Sequence, residues 1–475
     1  MADVSLTPSL SGDFPAATEA DWRKLVDKTL GEAPFASLEK VTVEGLPIAP
    51  LYPQAARPNA PARTVAADRA WEAATLTAHP DPVRANREAL ADLNGGAASL
   101  VVRIDPTGKA GVAVGSDAAL ARVLDGVILE LAPVALDAGF LGPQAAGWLS
   151  AAAKASPGAL LRFHLDPLSA YAASGASPGP IEAHLAAAAT AAARLADIYP
   201  QAQLFLASGR VVHEAGGGEA FEVAFAASAA VAYAKALVEA GLPMAQAFGR
   251  ITLGLSADAD HFLTIAKLRA ARAVWARVAQ ACNAEPTARI EARSSRRMLT
   301  VKDAWTNMIR LTAAGFGAAV GGADTVVLGN FTDALGLPIE FGRRQSRNTQ
   351  LVLMEEAHIG RVADPAAGSG YVEALTDQIA RKAWADFQAI EAAGGIVAAL
   401  ASGQIAAGVA TAIAARPEPK IIGVTAFPPA KDAPVEVEIA AAKPVQAPDA
   451  RLPGPDGACP PLKAMRISEA YEVEA

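Results

Sequence analysis

The chain is poor in cysteine, in aromatic rings and in charge. Its only cysteines, Cys282 and Cys459, stand far apart and outside any C-x-x-C or Cys/His spacing. That excludes a disulfide scaffold and a structural zinc site, and reads as free thiols in a reducing compartment. Aromatics make up 5% and charged residues 19% of the 475 residues, whereas hydrophobic residues reach 52%. A disordered chain is therefore excluded, and with alanine so abundant the core should be assembled from small side chains on closely approaching helices. The net charge of −8, without a basic cluster, argues against nucleic acid or an anionic membrane surface as the main partner. Residues Met1 to Ala20 carry Asp3, Asp13 and Glu19 and lack the basic head and apolar run of a signal peptide, so a cytoplasmic protein is expected. The uncharged stretch Ala392 to Ala415 is broken by Gly394-Gly395, Gly403 and Gly408, which favours a buried helix pair over a membrane span.

What is present is a rhythm. After Pro80-Asp81-Pro82, apolar β-branched segments alternate with alanine-rich helical patterns: Ser99–Asp105, Gly126–Leu131, Leu160–Leu165, Gln203–Leu206 with Val211-Val212, Ile251–Leu255, Ala288–Ala292 and Asp324–Leu328, with Gly360–Ala363 as an eighth candidate. About eight short buried strands separated by helices predict a parallel (β/α)8 TIM-type barrel, within an α/β class, better than an open sheet. The clearest helix signals run from Asp258 to Ala281 and from Tyr371 to Ala392. The division expected is an N-terminal extended arm and docking segment (1–62), with helical spacing at Asp21–Lys28 and a strand, turn and extended stretch at Ser37–Tyr52. The barrel with a helical extension follows (63–427), and then a Pro/Ala-rich C-terminal tail (428–475) that is a linker or lies along the surface.

The local motifs are individually weak. The six histidines, His79, His164, His184, His213, His261 and His358, are scattered singly and read as packed or surface imidazoles. Gly216-Gly217-Gly218 and Gly321-Gly322 are turn signals first and anion cradles second. Asp105 and Asp166 fall at predicted strand ends, where barrel active sites are built, but a helix N-cap explains an acid there equally well. The string D-P-A-A-G-S-G, Asp364 to Gly370, could cradle a phosphate or carboxylate ahead of a helix. It also looks like the S-adenosylmethionine loop of DNA methyltransferases, a reading that needs an N-P-P-[YF] string downstream and finds none.

Longer strings are more specific. Arg343 to Leu375, R-R-Q-S-R-N-T-Q-L-V-L-M-E-E-A-H-I-G-R-V-A-D-P-A-A-G-S-G-Y-V-E-A-L, resembles the methylmalonyl-CoA mutase family, whose hallmark is R-N-T-Q, an acidic pair and D-P-x-x-G-S. The resemblance continues in T-V-E-G-L-P-I-A-P-L-Y (Thr42–Tyr52), Pro80–Leu100, I-A-K-L-R-A-A-R-A-V-W-A (Ile265–Ala276) and A-W-x-x-F-x-x-I-E-A-A-G-G (Ala383–Gly395). It implies a barrel that takes an acyl-CoA along its axis and a separate domain, marked by D-x-H-x-x-G, that carries adenosylcobalamin. No histidine of this sequence has an aspartate two residues before it. The string R-I-S-E-A-Y-E-V-E (Arg466–Glu474) looks like the R-x-x-E-x-F-E that closes the barrel region before that domain, so no cobalamin domain is expected on this chain.

The resemblance fails at the chemistry. Catalytic members carry a tyrosine in R-x-Y-x-G-[FW] where Arg69–Thr77 reads R-A-W-E-A-A-T-L-T, and S-G-Y-H-M-x-E-A-G where Ser208–Gly216 reads S-G-R-V-V-H-E-A-G. Val211 thus stands in the place of a histidine and cannot donate a hydrogen bond to a thioester carbonyl. His213, two residues on, would share its face on a strand and is kept as a possible substitute. Arg347 and Gln350, within the hallmark, are explained as well by support of the last barrel units as by ligand contact. No catalytic, cofactor-binding or metal-ligating residue is therefore assigned. The resemblance implies the small, non-catalytic subunit of a heterodimeric adenosylcobalamin-dependent mutase interconverting (R)-methylmalonyl-CoA and succinyl-CoA. In it a large catalytic subunit is the partner and holds the cofactor; acyl-CoA stays an open ligand of this chain's barrel, and a barrel that no longer carried CoA could close its axis with larger side chains. The alternative is an active substrate-domain subunit that pairs with a separate cobalamin-binding chain.

Overall fold

The computed structural model describes residues 17–55, 61, 63, 69–285, 287–447 and 458–472. Eight parallel strands close a barrel in chain order: β1 (Glu72–Thr77), β2 (Ser99–Arg103), β3 (Val134–Asp137), β4 (Leu161–Leu165), β5 (Gln203–Ser208), β6 (Ile251–Ala257), β7 (Arg289–Ser294) and β8 (Thr325–Val327). The ring shuts where β8 lies parallel to β1, Thr325 opposite Glu72 and Val327 opposite Ala74. With helices as the crossovers, this is the (β/α)8 barrel that the rhythm predicted.

The main core lies between strands and helices, and alanine sets its spacing. In the helix Glu219–Glu239, Ala220, Ala224, Ala226, Ala227, Ala229, Ala230 and Ala234 are buried, and the helix packs on β5, β6 and the helices His261–Ala281 and Gly370–Ala392. It is long and apolar enough to cross a membrane by length and composition. Its burial on all these neighbours marks it instead as a core helix. Aromatic pairs sit at a strand-helix contact, Phe205 of β5 stacked on Tyr233 at 4.5 Å, and at a helix-helix contact, Phe248 on Trp275 at 4.9 Å, a geometry that adds to area burial. Ala392–Ala415 forms the expected pair of helices, Ile396–Ala401 and Gln404–Ala414, separated at Gly403 with φ +80°.

Three strand assignments need correction. The first strand, Glu72–Thr77, has little large apolar content, since alternate small residues suffice where both faces are covered by neighbouring strands and helices. Gly126–Leu131 is a turn rather than a strand, with Ile128 and Leu131 59% and 70% exposed, and the strand begins only after Pro133. Val211-Val212 belongs to the helix Arg210–Glu214, and Gly360–Ala363 contains the 3-10 turn Ile359–Arg361. The count of eight survives because the missed β1 replaces the false eighth.

Around the barrel, the helix Glu19–Leu30 is capped by Thr18 and Asp21, and a two-residue antiparallel ribbon pairs Lys40–Val41 with Pro47–Ile48. Residues 1–16 and the rest of the predicted arm up to Ala62, apart from 17–55 and 61, lie outside the described residues, as do 448–457 and 473–475 of the tail. The described tail does hug the surface: Val437–Glu438 pairs with Leu337–Pro338, and the Val445 N–H donates to the Pro106 carbonyl at 2.8 Å.

The family-like strings are used as mechanical joints. Arg347 Nη1 bonds Asp92 Oδ1 at 2.8 Å, and its guanidinium packs where a Cβ on Gly95 would collide with it. Trp71 Nε1 donates to Gln350 Oε1 at 3.2 Å, tying the segment before β1 to the helix after β8. Asp364 pairs with Arg269, the Gly368 N–H donates to Glu373, and the Gly368 carbonyl accepts from Ala55. A Cβ on Gly370 would strike the Pro53 carbonyl, so the chain's own arm fills the cradle that the D-P-A-A-G-S-G string suggested for a ligand. Because Asp92 is buried with Arg343 and Arg347 as its cations, Arg347→Met should cost about 3–5 kcal/mol. Adding Asp92→Asn should recover part of that loss, as read by urea unfolding monitored by circular dichroism.

Candidate functional site at the barrel axis and mouth

In a parallel barrel, alternate strand residues point to the axis, and chemistry is placed at the C-terminal ends of the strands. The inward positions here carry charge. Arg162 on β4 reaches across to β8 and β1, its Nη1 3.2 Å from Thr325 Oγ1 and its Nη2 2.5 Å from Glu72 Oε2. β4 and β8 stand four strands apart in a ring of eight, so this side chain spans the full diameter. One level up, Arg293 on β7 does the same in the opposite sense, its Nη1 2.8 Å from Asp137 Oδ2 on β3 and its Nη2 2.9 Å from Glu291 Oε1. Arg103 on β2 shares Asp137 at 3.0 Å. Burial opposes ionisation of Asp137, but Arg103 and Arg293 hold its carboxyl far below the ordinary range. The remaining interior is closed by small apolar side chains, Ala74, Val101, Ala135 and Val327 with Leu76.

Between the two levels sits His164. Its register partners show Arg162 opposite Gln203 but Leu165 opposite Phe205, a bulge of one residue, and His164 takes φ +44° within it. A non-glycine residue in the left-handed region is strained and clusters at sites. The ring is buried, neither nitrogen has a hydrogen-bond partner among the described residues, and Glu291 Oε2 lies 3.7 Å away. Burial pushes its pKa down to about 4, overriding Glu291.

Beside the mouth lies a second, fully buried network. His213 Nε2 is 3.1 Å from both Asp258 Oδ2 and Ser295 Oγ, and its Nδ1 is 3.3 Å from Glu222 and 3.4 Å from Glu219. Burial and Arg297 disfavour the imidazolium, but Glu219 and Glu222 outweigh them and carry the pKa up to about 10. The ligand atoms of His213, Glu219 and Glu222 are close enough to hold a metal. Lys267 already occupies that role: its ammonium contacts Glu219 and sits 2.6 Å from Glu222. Three cations, His213, Lys267 and Arg297, thus balance Glu219, Glu222 and Asp258.

This placement decides the readings left open by the sequence. Val211 lines the mouth cavity, whereas His213 is turned into the wall. The segment is a helix, on which two residues are separated by about 200°, so the shared face expected of a strand does not exist and His213 cannot stand in for Val211. Asp166 is the N-cap of the helix Pro167–Ser174, accepting from Ser169 N–H at 3.2 Å and Tyr233 OH at 2.6 Å, and burial raises its pKa to about 7. Asp105 organises the turn that follows β2: burial would raise its pKa, but hydrogen bonds from Thr107, Ala110 and Lys109 hold it below the ordinary value. The axial residues Glu72, Arg162, His164, Glu291 and Arg293 were missed. A signal existed, since Arg162/His164 and Glu291/Arg293 are ionisable residues at a spacing of two inside buried strands.

Fold and site together define an enzyme-type (β/α)8 barrel whose axis is crossed twice by its own ion pairs. A family model described as Methylmalonyl-CoA mutase matches residues 59–451. The chain is 38% identical to the methylmalonyl-CoA mutase small subunit of Streptomyces virginiae, over 98% of this chain and 77% of that one. It is 36% identical to the small subunit of Propionibacterium freudenreichii subsp. shermanii, over 82% of this chain and 65% of the relative, and 28% identical to the methylmalonyl-CoA mutase of Escherichia coli, over 81% and 59%. It therefore spans about two thirds of the length of several relatives. The chain belongs to the methylmalonyl-CoA mutase family of isomerases, which is generally cobalamin-dependent.

Because His164 has a folded pKa of about 4 against an ordinary 6.5, the unfolded chain takes up the proton first as pH falls. Its contribution is intact above pH 6.5 and is lost progressively down to about 4. His164→Asn, which tolerates the left-handed backbone, should flatten that acid limb in urea-midpoint measurements between pH 7 and 4.

Proposed function

We propose that this chain is the small, non-catalytic subunit of a heterodimeric, adenosylcobalamin-dependent methylmalonyl-CoA mutase, working in the cytoplasm beside a large subunit that interconverts (R)-methylmalonyl-CoA and succinyl-CoA. The observation that carries this reading is the double crossing of the axis by Arg162 and Arg293. A CoA thioester threaded along the axis would have to displace two buried guanidinium groups, leave Glu72 and Glu291 without their arginines and leave Asp137 with Arg103 alone, a cost of several kcal/mol for each broken buried pair. Val211 in place of a hydrogen-bond donor, and Trp71 engaged with Gln350 in the segment where catalytic members have a tyrosine, support the same reading. So do the relatives named small subunits, whose names imply a larger partner.

The cofactor, when bound in this family, supplies a homolysable cobalt–carbon bond. The residues of this chain do not fit it: Glu438–Ala440 and Leu462–Ala464 of the tail line the cavities at the strand ends, where a macrocycle laid over the mouth would collide with them. No step of the reaction is assigned to this chain. Its contribution is a barrel surface and an extended arm, including the exposed helix Glu19–Leu30 and the ribbon after it, elements that can cover partner surface while ordering little core.

Purified alone with adenosylcobalamin and methylmalonyl-CoA, the chain should form no succinyl-CoA above background, and Val211→His should not change that, because both arginines still cross the axis. Co-expressed with a large mutase subunit from the same host, it should co-elute in a one-to-one complex that is active. Turnover by the isolated chain, or by its mixture with a small separate cobalamin-binding protein, would overturn the proposal.

A further inference from the structure

One cation at the mouth has no partner. Two adjoining cavities, of about 350 and 360 Å³, open where the strands end, and Arg103, Arg210 and Arg293 line both. Arg293 spends both its Nη groups on Asp137 and Glu291, and Arg103 spends only its Nε on Asp137. Arg210, the residue after the Gly209 that follows β5, makes no hydrogen bond or salt bridge among the described residues, and its Nε is buried without a partner. Burial, and then Arg293 beside it, depress its pKa to about 10 against the opposing pull of Glu214, Asp137 and Glu291, none of which bonds to it.

The acids that could neutralise it are engaged elsewhere. Asp137 is shared by Arg103 and Arg293, Glu291 belongs to Arg293, Glu214 accepts the Arg296 backbone N–H at 3.1 Å, and Asp166 caps its own helix. Lys109 lines one cavity and Lys463 the other, each adding positive charge to the rim. Glu88, Asp333 and Glu438 also line these cavities, but Glu88 pairs with Arg343, Glu438 with His79, and Asp333 accepts the Asn330 N–H, so what distinguishes this partly enclosed polar space of ligand size is one unpaired guanidinium rather than a surplus of charge.

We propose that the mouth of the barrel, beneath the tail, is a binding site for a small free dianion, a dicarboxylate or inorganic phosphate, held by the free guanidinium of Arg210 with the Nη groups of Arg103. A planar fork of N–H donors suits both anions. The size of the cavities and the plugged axis beneath them restrict the ligand to one that enters from the mouth. The proposal is independent of the subunit reading, since it concerns binding to the isolated chain and not turnover.

The test is calorimetric titration of the full chain with sodium phosphate and, separately, sodium succinate, at matched ionic strength in chloride, alongside thermal unfolding. Saturable one-to-one binding of at least one anion with a raised Tm is expected, and the tighter of the two names the source. Arg210→Gln should weaken binding at least tenfold while leaving the Tm in chloride alone unchanged or slightly raised, because no internal partner is lost and a repulsion with Arg293 is removed. Arg210→Lys should fall between the two. Absence of saturable binding for both anions, or equal affinity in Arg210→Gln, overturns the proposal.

Discussion

Two buried guanidinium groups crossing the barrel in opposite senses are the constraint around which this molecule is arranged. Arg162 ties β4 to β8 and β1, and Arg293 ties β7 to β3, so five of the eight strands are pinned across the ring at two heights. Taking such charges out of water is expensive, and each is tolerable only because its acids are placed on the facing strands. The strands around them therefore carry small residues, Ala74, Ala135 and Gly254 among them, leaving space that the arginines fill. A barrel packed in this way gains rigidity, its axis crossed by its own side chains.

The same trade recurs outside the axis. The cluster of His213, Lys267 and Arg297 with Glu219, Glu222 and Asp258 is electrically balanced, so a group of metal-ligating type becomes a brace between the ends of β6 and β7 and the helices Glu219–Glu239 and His261–Ala281. The D-P-A-A-G-S-G loop, a ready anion cradle by composition, is closed by Pro53 and Ala55 of the arm. What remains unbalanced is Arg210, at the place where the barrel meets its own tail.

Much of this was legible in advance, for reasons that differ by element. The buried strands β2, β5, β6 and β8 announce themselves because parallel strands covered on both faces are apolar runs, whereas β4 and β7 show through although polar residues alternate with their apolar ones. β1 does not, because Glu72, Ala74 and Leu76 face an axis filled from the opposite side and need little bulk of their own. Gly126–Leu131 misleads for the converse reason: its aliphatics are left on the surface beside a turn, and local composition carries no information about which side chains will be covered. The hallmark residues Arg347 and Gln350 were recognisable as a string, but their work, holding Asp92 and Trp71, depends on partners more than 250 positions away.

The sequence by itself determined the eightfold rhythm, the alanine-spaced helices and the family, since these rest on local periodicity and on ordered strings that survive without knowledge of contacts. Only the tertiary structure decided the fate of the charges. Arg162, Arg293 and His213 are single letters whose meaning depends on what stands opposite, and a side chain's electrostatic role is set by distances across the barrel that no spacing along the chain encodes. Closure of the ring brought Arg162 to Glu72 and Arg293 to Asp137, turned His213 into the wall, and left Arg210 facing open space at the mouth.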